Sequence, residues 1–332
     1  MDSVPNDLKI YTNCIESLLE GFLKNAPLNV QPPSTAARRF VALKEQGLKA
    51  ADMFERIWLE EIFGPTAPLA IEPVELSDTP PTDSPIVVLM RPWIEKTTIL
   101  LDSWSQKGAK FYILHLSDEQ MKDSLDAYRL PGCIGVVRNY HRADLGEFGD
   151  KVYVLPLGYH WSQKNGVEDC YEKTPRLPFR EYTWSFAGTD WNGRKEQMKN
   201  LNLIQPNRIL WYDEWRDPKM LSKTEYMSVL LNSKFVPAPG GVNAETFRFY
   251  EALECGCVPL YVRQPNDDLL INGHYASKLQ LLNIPSWDHA AGLMFQLSKD
   301  PNQLDQYRIG LLNGWKAWKV EIKKKVRDLF RL

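Results

Sequence analysis

A chain of 332 residues with 44% hydrophobic and 25% charged residues can bury two cores, and its net charge of −2 gives no electrostatic drive toward nucleic acid or an anionic membrane. Its five cysteines form no Cys-x-x-Cys pair and no His/Cys spacing suited to zinc, which points to a reducing compartment. The N-terminal stretch has no basic leader followed by an apolar run, and no stretch of about 18 apolar residues occurs, so a soluble cytoplasmic protein without a stable membrane anchor is expected.

Apolar residues recur at helical spacing in Ile15, Leu18, Leu19 and Phe22, and again in Ala50, Met53, Phe54, Ile57 and Trp58. They predict helices over about 11–63, broken near 26–33. Six prolines between 64 and 85 (Pro65, Pro68, Pro73, Pro80, Pro81, Pro85) stand among small and acidic residues, a connector's composition. Residues 1–84 therefore read as a helical extension and a proline-rich connector.

From residue 85 the pattern alternates. Strands are expected at 86–90, 110–114, 133–137 and 151–155, with helices at 97–106 and 117–128, as in a parallel sheet with crossover helices. This gives a first α/β domain over 85–175. Polar and aromatic residues follow each strand: Arg91 and Trp93; His115 and Asp118; Arg138, Asn139, Tyr140 and His141; Gly158, Tyr159 and His160. Ligands of doubly wound sheets sit at that edge, although strand ends are polar for reasons of exposure alone.

A second proline-containing segment, 174–180, leads into a new alternation over 176–332. Strands are expected at 183–187, 208–212, 235–238 and 258–262, with helices at 224–231, capped by Ser222 or Thr224, and at 244–254. The lysine- and arginine-rich stretch 302–332 reads as a terminal helix crossing back to the first domain.

Two stretches of this half carry chemistry. Pro239, Gly240 and Gly241 form a turn between a strand and a helix, with Asn243 just before the helix and Arg248 and Glu251 three residues apart on one helical face. Upstream, Gly188 and Thr189 close a strand, and Arg194 follows. Glycine turns let backbone N–H groups approach an anion, an arginine forks onto a diphosphate, and a glutamate accepts from ribose hydroxyls. The same residues also suit a tight turn beside an ordinary intrahelical ion pair.

The order of these residues resembles the exostosin-like glycosyltransferases, family 47: Ser233-x-Phe235, Pro239, Gly240, Arg248, Glu251-Ala252-Leu253, Gly256-Cys257 and Val258-Pro259, preceded by Phe186-x-Gly188 and Arg194. Without the membrane anchor of Golgi relatives, the chain looks like a soluble microbial or large-virus member. The resemblance implies two Rossmann-like domains facing across a cleft, the GT-B architecture. It also implies inverting transfer from a UDP-sugar, with UDP-xylose one possibility, to a hydroxyl of a glycan or glycoprotein acceptor. Gly188, Thr189, Arg194, Pro239, Gly240, Gly241, Asn243, Arg248 and Glu251 would bind the nucleotide sugar. Trp93, Arg138, Tyr140, Tyr159 and His160 would meet the acceptor.

The sequence contains no Asp-x-Asp to clamp a metal; Asp267 and Asp268 are adjacent instead. Fixed positive charge from Arg194, Arg248 and the glycine turn is therefore expected to neutralise the leaving group, with no metal or other cofactor. His115 and Asp118 are the candidate bases, with His141, Asp144 and His160 as rivals. A retaining relative would place a glutamate eight residues before Glu251, where Asn243 stands, although Glu245 is close by. A sugar-nucleotide epimerase, a retaining transferase and a catalytically silent nucleotide-sugar- or glycan-binding subunit stay open as alternatives, as does the oligomeric state.

Overall fold

The structure, a computed structural model, describes residues 40–43, 54–64, 71–80, 86–91, 94–160, 175–214, 217–262 and 278–331. These fall into two compact units. One holds the described residues up to His160 together with those from Ala317 onward, and the other holds those from 175 to Lys316.

The first unit is built on a six-stranded sheet of β1 (Phe40–Leu43), β2 (Ile71–Val74), β3 (Ile86–Met90), β4 (Phe111–His115), β5 (Cys133–Arg138) and β6 (Val152–Val154). Their order is β2-β1-β3-β4-β5-β6, and every pairing is parallel. All five residues of β3 and all five of β4 are buried, which is why both segments are uninterrupted apolar runs apart from His115. Helices α1 (Arg56–Phe63), α2 (Ile94–Gln106) and the short α3 (Asp126–Arg129) belong to this unit. Trp104 of α2 and Tyr128 of α3 pack with Val88, Met90, Ile113 and Val136 in its core.

Three sequence expectations change here. Strands β1 and β2 lie in the stretch read as helix and connector. A four-residue apolar run carries too little periodicity to declare itself, and Pro73 is tolerated in β2 because β2 is the edge of the sheet. The helix expected over 117–128 shrinks to α3. Ser117 and Met121 have positive φ angles of 68° and 56°, and the Asp118 side chain takes the backbone N–H groups of Lys122 and Asp123 at 2.9 and 3.2 Å, competing with a helical ladder. The helix expected around Ile57 and Trp58 is α1, whereas Ile15–Phe22 and Ala50–Met53 lie outside the described residues.

The second unit carries β7 (Tyr182–Thr189), β8 (Asn207–Tyr212), β9 (Ser233–Pro237) and β10 (Val258–Leu260) in the order β10-β9-β7-β8, again all parallel. Its helices are α4 (Arg194–Gln197), α5 (Lys223–Leu231), α6 (Phe247–Glu254), α7 (Trp287–Ser298) and the first half of α8 (Pro301–Phe330). Ser222 caps α5 in a full capping box with Glu225. Arg180 is buried and ties the start of this sheet together, donating to the carbonyls of Pro175, Ser233 and Cys255 at 3.0, 2.7 and 2.9 Å. Cys255 and Cys257 are buried free thiols around Gly256, whose φ of +59° closes α6. Burial pushes both thiols above the usual range.

The buried residues Leu304, Leu311, Trp315, Trp318, Ile322, Val326 and Phe330 mark one stripe of α8 at three- and four-residue spacing. In the second unit Trp315 donates to Glu254 at 2.6 Å, and in the first Phe330 packs on Tyr112 and Phe63 with ring centres 4.8 and 5.6 Å apart. Among the described residues no helix is long and apolar enough to cross a membrane.

Candidate functional site

In the second sheet β8 and β9 flank β7 on opposite sides, so the strand order reverses between β7 and β9. Outside the carboxyl ends of two such strands, the connecting chains leave in opposite directions and open a crevice. The residues after β7 are Asp190 to Arg194, and those after β9 are Ala238 to Asn243. The first segment ends in Arg194 and the second carries Pro239, Gly240, Gly241 and Asn243, whereas Gly188 and Thr189, expected just past the strand, are the last two residues of β7.

Two guanidiniums occupy this edge. Arg194, 7% exposed, donates from Nε to the carbonyl of Gly240 at 2.8 Å and from Nη1 to that of Thr189 at 3.4 Å, joining the two strand ends. Arg248, in the first turn of α6, donates to the Ala187 carbonyl at 2.6 Å and lies with its guanidinium carbon 4.4 Å from the centre of the Phe186 ring. Burial, and then the neighbouring charge of Arg248, push the Arg194 guanidinium down to about 10, against the opposing pull of Asp190. Among the described residues neither arginine makes an ion pair with a carboxylate.

The glycines make room for these side chains. A Cβ at Gly188 would stand 2.7 Å from Nη2 of Arg248, and one at Gly241 would stand 2.9 Å from Nη2 of Arg194. The turn after β9 is held by Gly241 N–H donating to the Asn243 carbonyl at 2.8 Å, and by Asn192 donating to the Gly241 carbonyl at 2.7 Å. Asn243 accepts the Glu245 N–H at 3.0 Å through its side chain, so α6 begins at Phe247 and not at the expected Ala244. At the entrance to α6, Nε of Arg248 and Oγ1 of Thr246 are buried with no hydrogen-bond partner among the described residues. Orphaned buried donors of this kind are costly in a fold unless a ligand or solvent completes them.

Arg248 and Glu251 do not pair with each other, contrary to the simplest reading of their spacing. Glu251 is 4% exposed and accepts a hydrogen bond from the Tyr226 hydroxyl of α5 at 2.9 Å. Glu245, the residue that kept a retaining mechanism open, accepts from the Tyr250 hydroxyl. Nothing in the local sequence marked Tyr226 or Thr246 as part of this site, and Phe186 entered only as part of the Phe186-x-Gly188 motif, not for its ring. Tyr226 lies 25 positions from its partner, and only the packing of α5 beside α6 brings them together.

The first unit presents a different picture. His115, buried at the end of β4, has its Nδ1 at 2.5 Å from the Tyr128 hydroxyl and its Nε2 at 3.0 Å from Asp123. Burial lowers its affinity for a proton, with Arg138 adding to the effect and Asp123 opposing it. Asp118 is held by Arg138 at 2.7 Å, with Arg142 at 3.6 Å. Burial alone would raise its carboxyl, but Arg138 and the two backbone N–H groups outweigh that and hold it below the usual range. His115, Asp118 and Asp123 bring ligand-type atoms within 4.8 Å of one another. The Arg138 guanidinium, however, already stands where a cation would meet Asp118.

Of the expected acceptor residues, Arg138 and Tyr159 are fully buried, and Tyr159 packs edge-on against Trp58 at 5.3 Å. Tyr140 is buried with a positive φ of 57°, and His160 packs on Phe54 at 4.8 Å. Arg138, Tyr140 and Tyr159 are thus buried at the sheet edge, and His160 is half-buried. His141 and Asp144 are exposed, Asp144 in a two-pronged pair with Arg142 at 2.9 and 2.7 Å. Trp93, Asp267 and Asp268 lie outside the described residues.

The RXYLT1 C-terminal domain pattern matches residues 172–329, which take in the described residues of the second unit and, up to residue 329, the part of α8 that belongs to the first. Ribitol-5-phosphate xylosyltransferase 1 of Mus musculus is 26% identical over 168 residues, a match covering 44% of this chain and 37% of that protein. The chain thus spans little more than a third of the length of the curated relative it matches. The matched range spans the positions of both arginines, the two glycine turns, Tyr226 and Glu251.

Proposed function

We propose that the chain is an inverting glycosyltransferase of the two-Rossmann-domain (GT-B) class, taking a sugar from a UDP-sugar, UDP-xylose foremost, and passing it to a hydroxyl of a glycan acceptor. The observation that carries this reading is the pair Arg194 and Arg248. Among the described residues these two guanidiniums make no ion pair with a carboxylate, they are held over glycines at the point where the strand order reverses, and Nε of Arg248 is buried with no partner among those residues. Fixed cationic donors at such a point fit a diphosphate. The similarity to a protein named a xylosyltransferase supports the choice of sugar.

In this reaction the acceptor oxygen forms a bond to the anomeric carbon while the bond from that carbon to the β-phosphate oxygen breaks. The acceptor proton passes to a general base, and the electron pair leaves with UDP. Charge builds on the departing diphosphate, and Arg194 and Arg248 meet it without reorganising because both are already anchored to backbone carbonyls. Metal-independent action follows from placing that work on the arginines. Glu251 would accept from the ribose hydroxyls. The engagement of Glu245 by Tyr250 favours inversion over a retaining mechanism.

The test is a calorimetric and thermal-shift series on the full chain with UDP, GDP and their common sugars, with and without EDTA. It is followed by a transfer assay that reads the anomeric configuration of the product. Chelator-insensitive binding of UDP and UDP-xylose, followed by inverted product, is the expected result. A chain that binds no nucleotide at millimolar concentration would rule the reading out.

A further inference from the structure

We infer that Tyr226 is a positioning residue for nucleoside recognition: its hydroxyl sets the orientation of the Glu251 carboxylate, and through it the affinity for the nucleoside part of the donor but not for the diphosphate. The inference rests on the proposed site and goes beyond it by naming a residue that touches no ligand.

The geometry is specific. Tyr226 projects from α5 and packs on the cluster formed by Met227, Leu230, Leu231, Val236, Ala252 and Cys255, which fixes its ring against the back of α6. From there its hydroxyl donates to Oε2 of Glu251 at 2.9 Å. Burial raises the phenol well above its ordinary range, with the Glu251 charge adding to the effect and Arg248 opposing it, so the hydroxyl keeps its proton and stays a donor at any working pH. A glutamate side chain has three rotatable bonds, and a fixed donor on one carboxylate oxygen removes part of that freedom before a ligand arrives. Ordering that would otherwise oppose binding is then in part complete in the free protein. Arg194 and Arg248 take their own positions from carbonyls of Gly240, Thr189 and Ala187, so the diphosphate half of the site does not depend on Tyr226.

The experiment titrates the full chain and its Tyr226→Phe variant with two probes, UDP and inorganic pyrophosphate, and repeats the UDP titration for Tyr226→Phe in a Glu251→Ala background. The expected result is a loss of about tenfold in UDP affinity, the size of one hydrogen bond to a charged group, with pyrophosphate affinity unchanged and no further loss in the Glu251→Ala background. The inference is overturned by equal losses for both probes, by no loss for UDP, by an additive loss in the double variant, or by a variant without native tertiary structure, which would make Tyr226 a core support. A wild-type chain that binds neither probe would sink the site itself. One that binds pyrophosphate as tightly as UDP would leave the arginine site standing and remove the nucleoside role of Glu251, and Tyr226 with it.

Discussion

Arg248, half-buried at the start of α6, places its guanidinium over the face of Phe186 of β7, 4.4 Å from the ring centre, and makes no ion pair with a carboxylate among the described residues. An aromatic face attracts a cation without cancelling its charge. The arrangement therefore keeps a half-buried positive charge available to an anion.

Replacing Arg248 by Ala is expected to weaken UDP binding by about 100-fold, the scale of a forked charge-assisted contact, while leaving the unfolding temperature near that of the wild type. Arg248→Lys keeps the charge and loses the fork, so it recovers only part of the affinity. Calorimetry with UDP measures both. An Arg248→Ala variant that binds UDP as tightly as the wild type would remove Arg248 from the site.

Gly188→Ala is a subtler test. The added methyl would stand 2.7 Å from a terminal nitrogen of Arg248, so the guanidinium must leave the Ala187 carbonyl. The expected result is a folded protein with UDP affinity reduced by about tenfold or more, with the loss absent when Gly188→Ala is combined with Arg248→Ala. An independent, additive loss would show that Gly188 acts by another route.

Arg180 is predicted to matter for stability and not for binding. Arg180→Met would remove three hydrogen bonds to buried backbone carbonyls, at a cost of roughly 3 kcal/mol. Chemical denaturation should show a lower midpoint. If the midpoint were unchanged, backbone relaxation must have satisfied the carbonyls.

Acid should destabilise the first unit through His115, and the direction follows from the sign of its shift. The folded protein binds the proton less readily than the unfolded chain, whose histidine titrates near 6.5. Above that pH both states are neutral and the group contributes no pH dependence. Below it the unfolded chain takes up a proton that the folded state resists, and stability falls by up to about 1.4 kcal/mol per pH unit until the folded value is reached. Asp118, held low by Arg138, adds a separate loss at more acid pH, below its ordinary 3.8. His115→Asn should flatten the slope between pH 6.5 and 5 in denaturation experiments, and an unchanged slope would assign it to another group.

The sequence by itself determined much of this protein. The apolar runs of β3 to β5 were readable because parallel strands covered on both faces need nearly unbroken hydrophobic sequence. The glycine turns with Arg194 and Arg248 were readable because close approach of a guanidinium to backbone demands a residue without a side chain. Ser222 marked the start of α5 by the same local logic.

What only the tertiary structure decided was which groups meet. Arg194 reaches across 46 positions to Gly240, and Tyr226 across 25 to Glu251, through strand order and helix packing that leave no mark on either local stretch. The polar residues at the first sheet's edge look alike in the sequence. The fold turned Arg138, Asp118 and His115 inward as a mutually satisfied buried network, because charges removed from water must find partners within the fold. Strands β1 and β2 became legible only as neighbours of β3, since four residues cannot show a period but can complete a sheet.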